Sequence, residues 1–114
     1  MSVNPLIMKR NDLQPYYYAE IKDADGNPVN IAGAAIVCTM KGSAGTLKID
    51  RQSAGINITD GPNGKFEYRW QAGDTDTPGK YYIEFEVTPA AGGKFTVPAR
   101  DRAEVIIVDS LDSV

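Results

Sequence analysis

Residues 65–72 read KFEYRWQA and residues 80–88 read KYYIEFEVT. In the first, Phe66, Tyr68 and Trp70 alternate with Lys65, Glu67 and Arg69. In the second, Tyr81, Ile83, Phe85 and Val87 alternate with Tyr82, Glu84 and Glu86. A two-residue period puts one set on each face of an extended chain, whereas a helix would scatter both sets around its circumference. Both segments therefore belong in sheets with one face covered. Seven further stretches have strand character: LIMKR (6–10), YYYAEIK (16–22), AAIVCTMK (34–41), GTLKIDR (45–51), GINIT (55–59), KFTVP (94–98) and RAEVIIVD (102–109). Turn-forming clusters separate them, among them DADGNPV, where Asp-Gly supplies positive φ and Pro28 cannot extend a ladder. No stretch sustains a helical period beyond about two turns. Short strands at this spacing predict an all-β antiparallel sandwich of about seven strands.

The chain has 114 residues, enough for one domain with one core. A short N-terminal extension (1–5) and a C-terminal tail (110–114) flank a single folded unit, 6–109. The expected core comprises Tyr17, Ile21, Ile36, Cys38, Met40, Phe66, Tyr68, Trp70, Tyr81, Ile83, Phe85, Val105 and Ile107.

Histidine is absent and Cys38 is the single cysteine. Histidine-based triads are thereby excluded, no intramolecular disulfide can form, and a zinc site is improbable. A lone cysteine and no recognisable leader fit synthesis in a reducing compartment. The net charge of −3 argues against nucleic acid as a partner, since phosphate binding needs a basic face. The longest aliphatic runs, AAIVC and VIIV, are too short to span a bilayer. Asp74 and Asp76, in GDTDTPG, raise the question of a calcium or acid–base pair, but turn chemistry accounts for acids there. DADGN lacks the glycine and glutamate positions of a calcium loop. The expectation is a protein without catalytic residues, metal or cofactor.

The segment T-P-G-K-Y (77–81) has the form of a tyrosine corner, with Gly79 making the tight turn and Tyr81 entering the core. With it come D-x-D-G-N-P-V-N-I-A-G-A (23–34), an I-x-C-x-M strand, G-K-F-E-Y-x-W-x-x-G-D-T (64–75) and P-G-x-Y-x-x-E-F-E-V (78–87). In this order the motifs resemble the immunoglobulin-like N-terminal domain of phage baseplate upper proteins and related tail proteins, across residues 10–109. The resemblance implies an immunoglobulin-like sandwich serving as an assembly module of a bacteriophage virion. It would be built in the host cytoplasm from contacts with other virion proteins, in many copies or as a homo-oligomer. Baseplate, tail, neck and head accessory positions all remain open.

Strands C, F and G of such a fold share one sheet. With Ile36, Cys38, Tyr81 and Ile83 inward, Ala35, Val37 and Tyr82 face outward, and Ile106 and Val108 join them. A sheet facing water alternates apolar with polar, so this outer group is the expected interface unless Val3, Leu6 and Met8 fold over it. The other reading is a glycan- or host-surface-binding module, for which Tyr16 and Tyr18 supply outward aromatics beside Glu20 and Lys22.

Overall fold

The computed structural model describes residues 5–98, 103–109 and 111. Among them are nine strands: β1 (Leu6–Lys9), β2 (Tyr17–Glu20), β3 (Ala35–Gly42), β4 (Leu47–Gln52), β5 (Ile56–Asp60), β6 (Lys65–Tyr68), β7 (Gly79–Thr88), β8 (Phe95–Val97) and β9 (Ala103–Val108). A single 3₁₀ turn, Gly61–Asn63, links β5 to β6. The strands form two sheets packed as a β-sandwich, without a disulfide; Cys38 is a buried free thiol. The larger sheet has the order β1-β9-β7-β3-β4, with β8 also on β7, and the smaller has the order β2-β6-β5. Apart from Pro5 and Leu111, the expected extension and tail lie outside the described residues.

Two details differ from expectation. The strand number exceeds seven because β4 adds an edge beyond β3 and because β8 and β9 follow one another along the same edge of β7: Val87 and Phe85 pair with Phe95 and Val97, while Ile83 to Gly79 pair with Ala103 to Ile107. Pro98, which has no N–H to donate to a ladder, ends β8. The sheet is also not wholly antiparallel, since β1 runs parallel to β9 with Leu6 opposite Val105 and Met8 opposite Ile107. The N-terminal segment thus lengthens the larger sheet instead of folding over its outer face. Leu6 and Met8 point inward and Ile7 outward, and Val3 lies outside the described residues.

All thirteen expected core residues pack in the core, with Tyr17 partly buried at its margin. Met8, Ile31, Ile49, Val87 and Ala103 join them. Phe85 is central: its ring meets Phe66 edge-on at 5.0 Å and lies 5.4 Å from Tyr17 and 6.5 Å from Tyr68. Each fully buried side chain of this size contributes about 1.5–3 kcal/mol by leaving water.

β6 ends at Tyr68, earlier than the alternation through residue 72 suggests. Trp70 still reaches the core, its ring edge-on to Tyr68 at 5.3 Å, and its indole N–H donates to the Pro15 carbonyl at 2.9 Å. The DADGN turn is held by Asp23 Oδ1, which accepts from the amides of Asp25 and Asn27, both at 2.9 Å.

Candidate functional site

The corner before β7 is a closed network. Asp74, 7 % exposed, accepts the Tyr68 hydroxyl at 2.5 Å and the Gln71 amide at 2.8 Å on Oδ2. Gln52 Nε2 donates to the Tyr68 oxygen at 2.8 Å. Thr75 Oγ1 donates to the Asp12 carbonyl, and the Thr75 carbonyl accepts the Asn11 amide, both at 2.9 Å. Asp76 pairs with Lys48, whose ammonium holds that carboxyl below its usual range. Tyr81 donates its hydroxyl to the Thr77 carbonyl at 2.7 Å. Gly79 turns the chain at φ 152°, a conformation open only to glycine, with the Tyr81 ring lying against it. Burial, then the hydrogen bond to Asp74, pushes the Tyr68 phenol far up, and burial does the same to the Cys38 thiol. In the buried core both groups therefore hold their protons, and the phenol donates its own to Asp74. Among the described residues no three His, Cys, Asp or Glu side chains converge as a metal site would require.

The outer face of the larger sheet holds the five residues anticipated as an interface, but not in one group. Ile106 lies between Ile7 of β1 and Lys80 of β7, and Val108 lies opposite Lys9. Tyr82 stands between Glu104 and Lys41. Val37 is opposite Glu86 and Ala35 opposite Thr88, on the far side of the sheet. Charged side chains run between these clusters. Lys80 pairs with Glu104 at 3.7 Å and lies 5.8 Å from the centre of the Tyr82 ring. Arg51 grips Glu86 with both terminal guanidinium nitrogens, at 2.8 and 3.0 Å, and lowers its pKa. The apolar part left open is the rim by β1, where Ile7 is 60 % exposed beside Ile106.

The outer face of the smaller sheet has a feature that alternation alone does not reveal. Glu67 faces away from the core between Phe66 and Tyr68, yet it is only 6 % exposed. Its Oε2 accepts Arg69 Nε at 2.6 Å and Asn57 Nδ2 at 3.3 Å, and Arg69 pulls its pKa down. The Arg69 guanidinium lies 5.4 Å from the centre of the Tyr16 ring, and Tyr16 and Tyr18 are 6.3 Å apart. The cross-strand register sets this cluster, with Tyr18 opposite Glu67 and Glu67 opposite Asn57; in the sequence the one signal is Arg69 two residues after Glu67 on the same face. Beside β2, a cavity of about 380 Å³ opens between the sheets, lined by Tyr17, Ala19, Phe85 and Val97 among others.

No family model and no curated protein matches the chain.

Proposed function

We propose that this chain is a structural subunit of a bacteriophage virion, assembled in the bacterial cytoplasm and acting through protein–protein contacts in a multi-copy particle. The motif resemblance supports the class. Its blocks are residues 23–34, the I-x-C-x-M stretch of β3, residues 64–75 with β6 and its corner, and residues 78–87 of β7. The finer, immunoglobulin-like reading is supported by the strand order: β2-β6-β5 corresponds to B-E-D, and β4-β3-β7-β9 to C′-C-F-G. The Tyr81–Thr77 bond sits where a tyrosine corner belongs.

The observation that carries the assembly reading is the exposed Ile7 beside half-buried Ile106, on β1, the outermost strand of the larger sheet among the described residues. An open strand edge bordered by aliphatic side chains is a template for contact with another chain. The test uses Ile106→Glu and Ile7→Glu in phage particles recovered from the host. Wild-type protein should co-sediment with particles, and the variants should keep the β-type circular dichroism spectrum yet stay in the supernatant. Normal incorporation of both variants removes this rim as the contact. Failure of the wild type to accompany any particle removes the virion reading itself.

A further inference from the structure

We infer that the outer face of the three-stranded sheet is a binding platform for a neutral pyranose sugar. The register sets out the platform in three columns. Tyr18 rises from β2 and Tyr16 from the position just before it; Arg69 and Glu67 follow along the line of β6; Gly55 and Asn57 lie beyond, along the line of β5. Gly55 has φ 91°, and a Cβ there would stand 2.4 Å from the Arg69 carbonyl oxygen and 2.8 Å from Gln71 Nε2, so no side chain rises from this position. The result is a step, with an aromatic wall on one side and a short polar floor on the other. Tyr18 is 67 % exposed at the top of the wall.

The centre of the step is a fixed pair with unused hydrogen-bonding capacity. Both bonds to Glu67 fall on Oε2, and no side-chain polar atom is both fully buried and unpartnered among the described residues. Oε1 therefore keeps an opening to solvent. Arg69 uses Nε for Glu67, and its side chain is 53 % exposed, with the two terminal nitrogens outside that bond. Asn57 spends its amide nitrogen on Glu67 and retains its carbonyl oxygen. A carboxylate oxygen and an amide oxygen can accept, and two guanidinium nitrogens can donate, beside the Glu67–Arg69 bond.

A sugar ring matches this arrangement. Its hydroxyls both donate and accept, and adjacent ones fit a side-by-side acceptor and donor. Its C–H face lies flat on a tyrosine ring, whose negative π-face attracts polarised C–H groups. Glu67 and Arg69 neutralise each other, as do Glu20 and Lys22 at 3.8 Å, so the platform favours an uncharged ligand. A protein contact would place apolar side chains centrally and charges at the rim. Here the ion pair is central and the rings are at one side.

The probes are an array of neutral and acidic oligosaccharides and an NMR titration of the ¹⁵N-labelled chain with methyl hexopyranosides. At least one neutral glycan should bind, with shift changes confined to Tyr16, Tyr18, Asn57, Glu67, Arg69 and their immediate neighbours. Tyr18→Ala, at an exposed position, should weaken binding about tenfold or more. Arg69→Lys, which keeps the charge and loses the fork, should weaken it by a similar factor of about ten. Ile106→Glu should leave binding unchanged, which separates this inference from the assembly reading. The inference is overturned by an array blank for neutral glycans, by binding of acidic glycans alone, or by binding indifferent to Tyr18→Ala. A blank array together with loss of particle co-sedimentation in Tyr18→Ala would also overturn it, since the face would then be a protein contact.

Discussion

Replacing Tyr68 by Phe keeps the ring and removes one oxygen, in a place where that oxygen has two partners. Tyr68 is 0 % exposed; its hydroxyl donates to Asp74 at 2.5 Å and accepts from Gln52 at 2.8 Å. The bond to a carboxylate is the larger loss, about 1.5–3 kcal/mol, because Asp74 is then a buried anion with the Gln71 amide as its remaining partner. The Gln52 amide is only partly buried and turns to water, adding up to about 1 kcal/mol. The expected destabilisation is thus about 1.5–4 kcal/mol, a large fraction of the roughly 5–15 kcal/mol that holds a domain of this size together. Urea unfolding followed by Trp70 fluorescence reads it, since the indole packs edge-on to Tyr68 and loses that contact on unfolding. Melting should fall by on the order of 10 °C. A double-mutant cycle with Asp74→Asn isolates the pair, with a coupling of about 1 kcal/mol or more expected. A Tyr68→Phe variant within about 0.5 kcal/mol of wild type, with an unchanged urea slope, would refute the reasoning. It would mean that the Asp74 carboxylate is as well solvated without the phenol as with it.

Gly64→Ala should cost about 2–4 kcal/mol in the same urea assay, because φ is 71° and the new Cβ would lie 2.6 Å from the Ile21 carbonyl oxygen and 2.7 Å from that of Val29. Cys38 should resist thiol reagents at pH 8 in the folded protein and react promptly in urea, since it is 0 % exposed and burial holds its proton. Cys38 and Tyr68 keep their protons in the fold after an unfolded chain has released them, so stability should be full below their ordinary values of 9.0 and 10.0 and fall as pH rises beyond these. At the other end, Asp76, Glu67 and Glu86 sit below their ordinary values of 3.8 and 4.5 in the fold, so stability present above that range should decline as pH falls through and below it. Part of the acid loss should reappear as salt sensitivity at pH 7, because Lys48–Asp76 and Arg51–Glu86 are exposed.

The period-two segments made the two sheet faces legible before any coordinates. Phe66, Tyr68, Tyr81, Ile83 and Phe85 turn inward because strand geometry allows no other arrangement once one face is covered. What alternation does not carry is which strands become neighbours. Met8 and Ile49 are buried because β9 and β3 lie beside their strands, a fact of sheet order rather than of local pattern. Ile31, 0 % exposed, sits in a loop whose burial depends on both sheets being in place. Glu67 illustrates the same limit for the candidate site. Its outward direction could be read from the sequence, and Arg69 two residues on lies in the same segment, but its covering by Asn57 needs a partner from the neighbouring strand β5. Likewise, the breaks between the five outer-face residues come from Arg51 and Lys80, whose positions over that face follow from pairing.

The parallel pairing of β1 with β9 sets how the protein bears tension. Both strands start at the same end of the sandwich, so a pull ahead of Leu6 and a pull beyond Val108 act in opposite directions along neighbouring strands. The four residue pairs from Leu6–Val105 to Lys9–Val108, and the bond from the Arg10 amide to the Val108 carbonyl, are then loaded together in shear. A hairpin peeled from its end gives way one bond at a time at low force; a sheared patch must break all at once. Forced unfolding is governed by the barrier to that first rupture and not by overall stability. The seam between the first and last strands therefore acts as a mechanical clamp, and a chain built this way yields late when it is stretched from both ends.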